Sequence, residues 1–150
     1  MSEPLQVRQE TFIAAPPAAV FAYLTDPEKI VSWIGSQAST ELRPGGLYLL
    51  QGVGGRARAA RGAFREVAPV HRLAYSFGWD DSAEVPAGST LIEFDLVEQD
   101  GGTLLRMTQS GFPNAAQCAQ HDRGWRYYFG RLASVAKGVD PGADIGPAAR

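Results

Sequence analysis

The stretch 114–137 constrains this chain more than any other. Gly111-Phe112-Pro113 interrupts whatever precedes it, and Asn114 can then cap a helix by accepting from first-turn amides. His121, Trp125, Tyr128, Leu132 and Val135 follow at i, i+4, i+7, i+11 and i+14, which places them on one helical stripe. Cys118 and Phe129 border that stripe, while Asp122, Arg123, Arg126 and Arg131 point elsewhere. Gly138 supplies a stop, with Pro141 soon after. One long helix with an apolar, aromatic face needs a partner surface of similar length.

The rest of the chain reads as that partner, an antiparallel sheet. Residues 5–13 predict a strand with Leu5, Val7, Thr11 and Ile13 on one face, a parity that Phe12 breaks. Pro16-Pro17 and Asp26-Pro27 each open a short helix, over 18–24 and 28–34, because proline suits the first helical position. Their buried sides are Ala19, Val20, Tyr23, Leu24, Ile30 and Trp33. Arg43-Pro44-Gly45-Gly46 is a turn, 47–53 a strand, and Gly54-Gly55 suits a two-residue hairpin leading to a strand over 58–67. After Pro69 the pattern resumes with Leu73, Tyr75, Phe77 and Trp79 sharing one parity. A polar loop over 80–88 leads to Thr90, Ile92, Phe94 and Leu96 on a further strand. Asp100-Gly101-Gly102 turns the chain back into Thr103, Leu105, Met107 and Gln109.

Strands in series with segregated helices argue an α+β fold. Residues 1–137 read as one domain, and 138–150, rich in Gly, Ala and Pro, as a flexible tail that frays. Across 150 residues the formal charge of -2 gives no global attraction to nucleic acid or to an anionic membrane. A single cysteine excludes an internal disulfide and fits a reducing compartment. No charged segment followed by an apolar core opens the chain, and the apolar run 12–24 is short and broken by Pro16 and Pro17. A cytoplasmic protein without membrane insertion is the expectation.

Several spaced motifs look familiar together. Ala15-Pro16-Pro17, Val20-Phe21, Leu24-Thr25-Asp26-Pro27, Trp33 and Arg43-Pro44-Gly45-Gly46 come first. Gly62, Glu66-Val67, Pro69, Arg72-Leu73, Gly101-Gly102-Thr103, Ser110-Gly111-Phe112, His121 and Gly124-Trp125 follow in order. This series, spanning about residues 7–135, resembles the START-related helix-grip superfamily, which includes the polyketide-cyclase-like proteins. Within it the chain looks most like the branch of heat-shock-chaperone ATPase activator homologues. The resemblance implies a helix-grip fold: a curved antiparallel sheet of six to seven strands around the C-terminal helix, two short helices after the first strand, and an apolar cavity between sheet and helix. Relatives use that cavity for lipids, sterols, polyketides or plant hormones, a minority are cyclases or aromatases, and the eukaryotic activators bind a chaperone. Gln109 departs from the pattern, since many relatives carry histidine there.

The candidate ligand-binding residues are Trp33, Tyr48, Phe64, Tyr75, Phe77, Trp79, Phe94, Met107, Gln109, His121, Trp125 and Tyr128. Pockets are mostly apolar with a few placed polar groups, and Tyr and Trp supply both. The same rings equally suit an ordinary core. His121 is the one candidate acid or base, one turn before Trp125, with Tyr23, Tyr75, Gln109 or Tyr128 as possible partners. His71 falls in a turn, and two histidines without ligand spacing argue against a metal site. Cys118 lacks a catalytic constellation, and no cofactor is implied. Gly52-Val53-Gly54-Gly55-Arg56-Ala57 matches a dinucleotide fingerprint, but Gly62 interrupts the helix it would need and no crossover helices follow. Arg56, Arg58, Arg61 and Arg65 alternate along a strand, which fits a solvated edge. Three functions stay open: binding a small apolar or aromatic molecule, a cyclase- or hydrolase-like activity through His121, and a co-chaperone-like contact with a protein partner.

Overall fold

The computed structural model describes residues 5–147. Seven strands make one sheet: β1 (Gln6–Ile13), β2 (Gln37–Thr40), β3 (Leu47–Gln51), β4 (Ala59–Ala68), β5 (Arg72–Phe77), β6 (Thr90–Gln99) and β7 (Gly102–Ser110). Their order is β1-β7-β6-β5-β4-β3-β2, and every pairing is antiparallel. Helices α1 (Pro17–Thr25) and α2 (Pro27–Ile30) carry the chain from one edge strand to the other, and α3 (Ala115–Ala136) follows β7. This is the α+β helix-grip architecture.

Local chemistry sets most boundaries. Pro17 opens α1, and the Asp26 carboxylate caps α2 by accepting from the Glu28 amide at 3.0 Å. Asn114 caps α3 by accepting from the Gln117 amide at 2.9 Å. Alternation then sorts the sheet faces. Tyr75, Ile92 and Gln109 form one cross-strand row, and Leu73, Phe94 and Met107 the next, all buried. Trp125 and Phe129 of α3 meet Phe94 edge-on, with ring centroids 6.1 and 6.4 Å away. Gly62 answers a close approach: a Cβ there would lie 1.6 Å from the Ser76 carbonyl oxygen on the neighbouring strand.

Four local expectations need correction. The turn after β3 is not a two-residue hairpin. It spans 52–58 around a short 3-10 turn, with Gly52, Gly54 and Gly55 all at positive φ. Leu5 is exposed rather than inward, and Phe12 faces away from the core in a row with Leu104 and Val97. Arg131 does not point to solvent. It is buried, donating from Nε to the Trp33 carbonyl and from its terminal nitrogens to the carbonyls of Pro141, Gly142 and Ala143. The segment after α3 is therefore held by the domain, at least through Pro147; 148–150 lie outside the described residues.

Candidate functional site

The middle of α3, strands β3 and β5, the 53–55 turn and the C-terminal segment enclose a cavity of about 260 Å³. Tyr48 and Leu50 reach it from β3, Tyr75 and Phe77 from β5, and Trp79 from just beyond. His121, Trp125 and Tyr128 face it from α3, and Trp33 from the turn after α2. The stripe spacing on α3 and the period-2 row along β5 and just beyond it bring six of the twelve candidate residues to one space, and Trp33 and Tyr48 join them from two other elements. Phe64, Phe94, Met107 and Gln109 do not line it. They are completely buried in the packed layer alongside.

Gln109 is a strut rather than a wall. Its side-chain carbonyl accepts from Trp125 Nε1 at 2.8 Å, and its amide donates to Thr90 Oγ1 at 3.0 Å. Thr90 donates onward to the Phe77 carbonyl at 2.6 Å. This chain satisfies every member of a buried polar network and fixes the indole that faces the cavity.

The floor is aromatic. Tyr48 and Tyr75 stack with centroids 4.2 Å apart, and Phe77 meets Trp79 edge-on at 5.3 Å. Burial pushes the Tyr48 phenol up to about 12 and Tyr75 well above its usual range. Both hydroxyls are therefore neutral donors at ordinary pH.

His121 sits at the edge of this floor, and both ring nitrogens are engaged. Trp79 Nε1, a donor only, points at Nε2 from 3.0 Å, while Nδ1 lies 2.8 Å from the Gln117 carbonyl, an acceptor only. The partners fix the neutral tautomer with hydrogen on Nδ1. Burial lowers the imidazole's pKa, the Gln117 carbonyl works against that, and Arg58 adds to the lowering. A neutral ring whose lone pair already accepts has neither proton nor acceptor to offer a substrate. None of the partner groups proposed from sequence contacts it; Trp79 does.

Other candidates separate cleanly. His71 is exposed. Cys118 is half-buried, and burial raises its thiol pKa, which keeps it protonated and unreactive. Gly52-Val53-Gly54-Gly55 lies between two strands with no following helix, so it is not a nucleotide turn. Of the arginine group, Arg61 forms a bidentate pair with Asp80, whereas Arg56 and Arg58 reach the cavity. Among the described residues no three His, Cys, Asp or Glu side chains cluster as a metal site needs, and no helix is long and apolar enough to cross a membrane.

Sequence reasoning missed two parts of the wall. One is the cationic rim of Arg56, Arg58 and Arg123. The other is Ile145, Gly146 and Pro147 from the segment after α3. Asp144 pins that segment by accepting from the amides of Gly35 and Gly54, both at 3.0 Å, and from the Tyr128 hydroxyl at 2.9 Å. Burial, then the Asp144 carboxylate, raises the Tyr128 pKa. The one sequence signal was Arg131 itself, three residues beyond Tyr128 and so close to the apolar stripe.

Comparison with known proteins agrees with this geometry. A family model described as activator of Hsp90 ATPase homolog 1-like protein matches residues 14–137. A search of curated proteins finds no match. The solution structure of an AHSA1-like protein from Rhizobium etli is 62% identical, with a TM-score of 0.74 over 96% of this chain and 89% of that one. A protein from Mesorhizobium loti shares 24% identity and a TM-score of 0.77, over 90% of this chain and 98% of its own. DynU16, a protein of the dynemicin biosynthetic locus, shares 22% identity and a TM-score of 0.79, over 95% of this chain and 51% of its own. The last two similarities speak to fold alone. By the match over most of its length, the chain belongs to the family of activator of Hsp90 ATPase homolog 1-like proteins.

Proposed function

We propose that this protein binds a small, largely aromatic molecule in the cavity between β3, β5 and α3. Family membership fits either a ligand-binding or a co-chaperone role, since a fold alone does not fix function. The observation that carries the binding reading is an open space lined by large aromatic rings. Its volume of about 260 Å³ exceeds the roughly 150 Å³ of an engineered cavity that takes benzene, and lies near the small end of ligand pockets, roughly 300–1,000 Å³. One or two aromatic rings fit that size.

The engaged nitrogens of His121 weigh against acid–base catalysis and for binding. A large exposed apolar patch would favour a protein-partner role. The row of Phe12, Leu104 and Val97 is small, with Phe12 44% and Val97 40% exposed, and it lies off the cavity. Native mass spectrometry of freshly purified protein, followed by a thermal-shift screen of one- and two-ring aromatic compounds, tests the reading. A co-purifying small molecule, or a rise of several degrees with one chemical class, supports it. A silent screen without any adduct refutes it, and a chaperone pull-down then becomes the informative experiment.

A further inference from the structure

Resting on that reading, we infer that the ligand is an organic acid: an aromatic body on the Tyr48–Tyr75 floor with a carboxylate at the rim. Among the described residues the cavity wall carries Arg56, Arg58 and Arg123, and no Asp or Glu. This local excess of positive charge stands in a chain whose net charge is -2. Arginines elsewhere mostly have carboxylate partners: Arg43 with Glu41, Arg61 with Asp80, Arg72 with Glu66, Glu93 and Asp95, Arg106 with Glu10, and Arg126 with Asp122. At the rim only Arg58 has one, Asp81 at 3.2 Å, with both partners open to solvent. Among the described residues, Arg56 and Arg123 have neither an ion pair nor a hydrogen-bond partner for their guanidinium groups.

Asp81 offsets part of the Arg58 charge, and Arg56 and Arg123 keep theirs. The guanidinium of Arg58 lies 3.8 Å above the Trp79 ring, which aims a cation at the cavity without neutralising it. Its field reaches His121, where it helps keep the imidazole uncharged. Tyr48 and Tyr75 stay protonated and so add no competing anion. The nearby Asp144 carboxylate accepts from the amides of Gly35, Gly54 and Gly146 and from the Tyr128 hydroxyl, and it does not itself line the cavity. A guanidinium offers planar, paired donors that match a carboxylate, and three around one mouth also steer anions toward it.

The test is a matched pair of probes, 2-naphthylacetic acid and its primary amide, titrated into the full chain by calorimetry at neutral pH. Rim ion pairs are partly solvated, so three together should favour the acid by about tenfold at low salt. That preference should shrink in half-molar salt, and fall toward one in the double variant Arg56→Gln, Arg123→Gln. Both side chains are exposed, so an unchanged melting temperature should confirm that the variant is folded. Equal affinities for acid and amide overturn the inference while leaving the aromatic cavity reading intact. A preference that survives the double substitution also overturns the assignment to this rim. If neither probe binds, the cavity reading fails and takes the inference with it.

Discussion

Acidification offers the most direct check on the locked His121. In the unfolded chain its imidazole titrates near 6.5, and in the folded chain burial and Arg58 hold it lower. Between those two values the unfolded state binds more protons, so folding stability must fall as pH drops through the window and level off above it. The ceiling for one proton is about 1.4 kcal/mol per pH unit. The structure says what is lost: a proton on Nε2 turns an acceptor into a donor facing the Trp79 N–H at 3.0 Å. Losing that bond costs about 1 kcal/mol, before any cost of charging a ring near Arg58. Urea unfolding of wild type and His121→Gln between about pH 7.5 and 5.5 isolates the effect, because carboxylate titration cancels in the difference. Wild type should lose more stability than His121→Gln as pH falls below about 6.5, while the Trp79 indole N–H resonance holds until the lowered native-state titration is reached. Parallel losses in the two proteins, or an indole resonance that titrates near the free-imidazole value of about 6.5, would refute the locked-tautomer argument.

Arg131→Met removes the charged donor from four carbonyls and should cost about 2–4 kcal/mol. Hydrogen exchange should show the Gly35 and Gly54 amides losing protection as Asp144 leaves, and unchanged protection would mean that the segment is held without Arg131. Gly124 lies within α3 on the cavity wall, and a Cβ there meets nothing within 4 Å. Gly124→Ala should therefore stabilise by about 0.5–1 kcal/mol. The bulkier Gly124→Leu should retain stability and weaken binding of any cavity ligand at least several-fold; full affinity in that variant would take Gly124 out of the binding wall.

What was legible in the sequence was whatever repeats locally. The α3 stripe needs only the period of a helix, and Asn114 marks its start within one turn. The rows through Tyr75, Phe94 and Met107 follow from strand alternation and the order of the turns. The wall made by Ile145 to Pro147 could not be read this way, because it depends on Asp144 meeting amides 109 and 90 residues away. Composition marked that segment as loose, yet one buried guanidinium ordering successive carbonyls outweighs a run of Gly, Ala and Pro. The 52–58 turn failed for a related reason. Gly54 is held at positive φ while its amide meets Asp144, so the turn shape belongs to a tertiary contact rather than to a hairpin preference. Gln109 carried a polar label suited to a pocket, but its partners Trp125 and Thr90 lie on two other elements and absorb it completely.

The position of the cavity along α3 follows from what the helix presents there. Toward its C-terminal end Phe129 and Leu132 are buried against the sheet, and Phe129 stacks on Trp125 at 5.1 Å. One turn earlier the helix offers His121 and Gly124, one held sideways by Trp79 and the other without a side chain. Neither can fill the space above Tyr48 and Tyr75. Those two rings cannot close it from below, because they are stacked on one another and flanked by Phe64 at 5.9 and 5.8 Å. Closing the gap would take a larger residue at 124 or a freed imidazole at 121, and each is a small change to this sequence. Glycine within a helix is also a destabilising choice compared with alanine. A ligand bound as proposed accounts for a glycine placed above an aromatic floor with arginines at its rim.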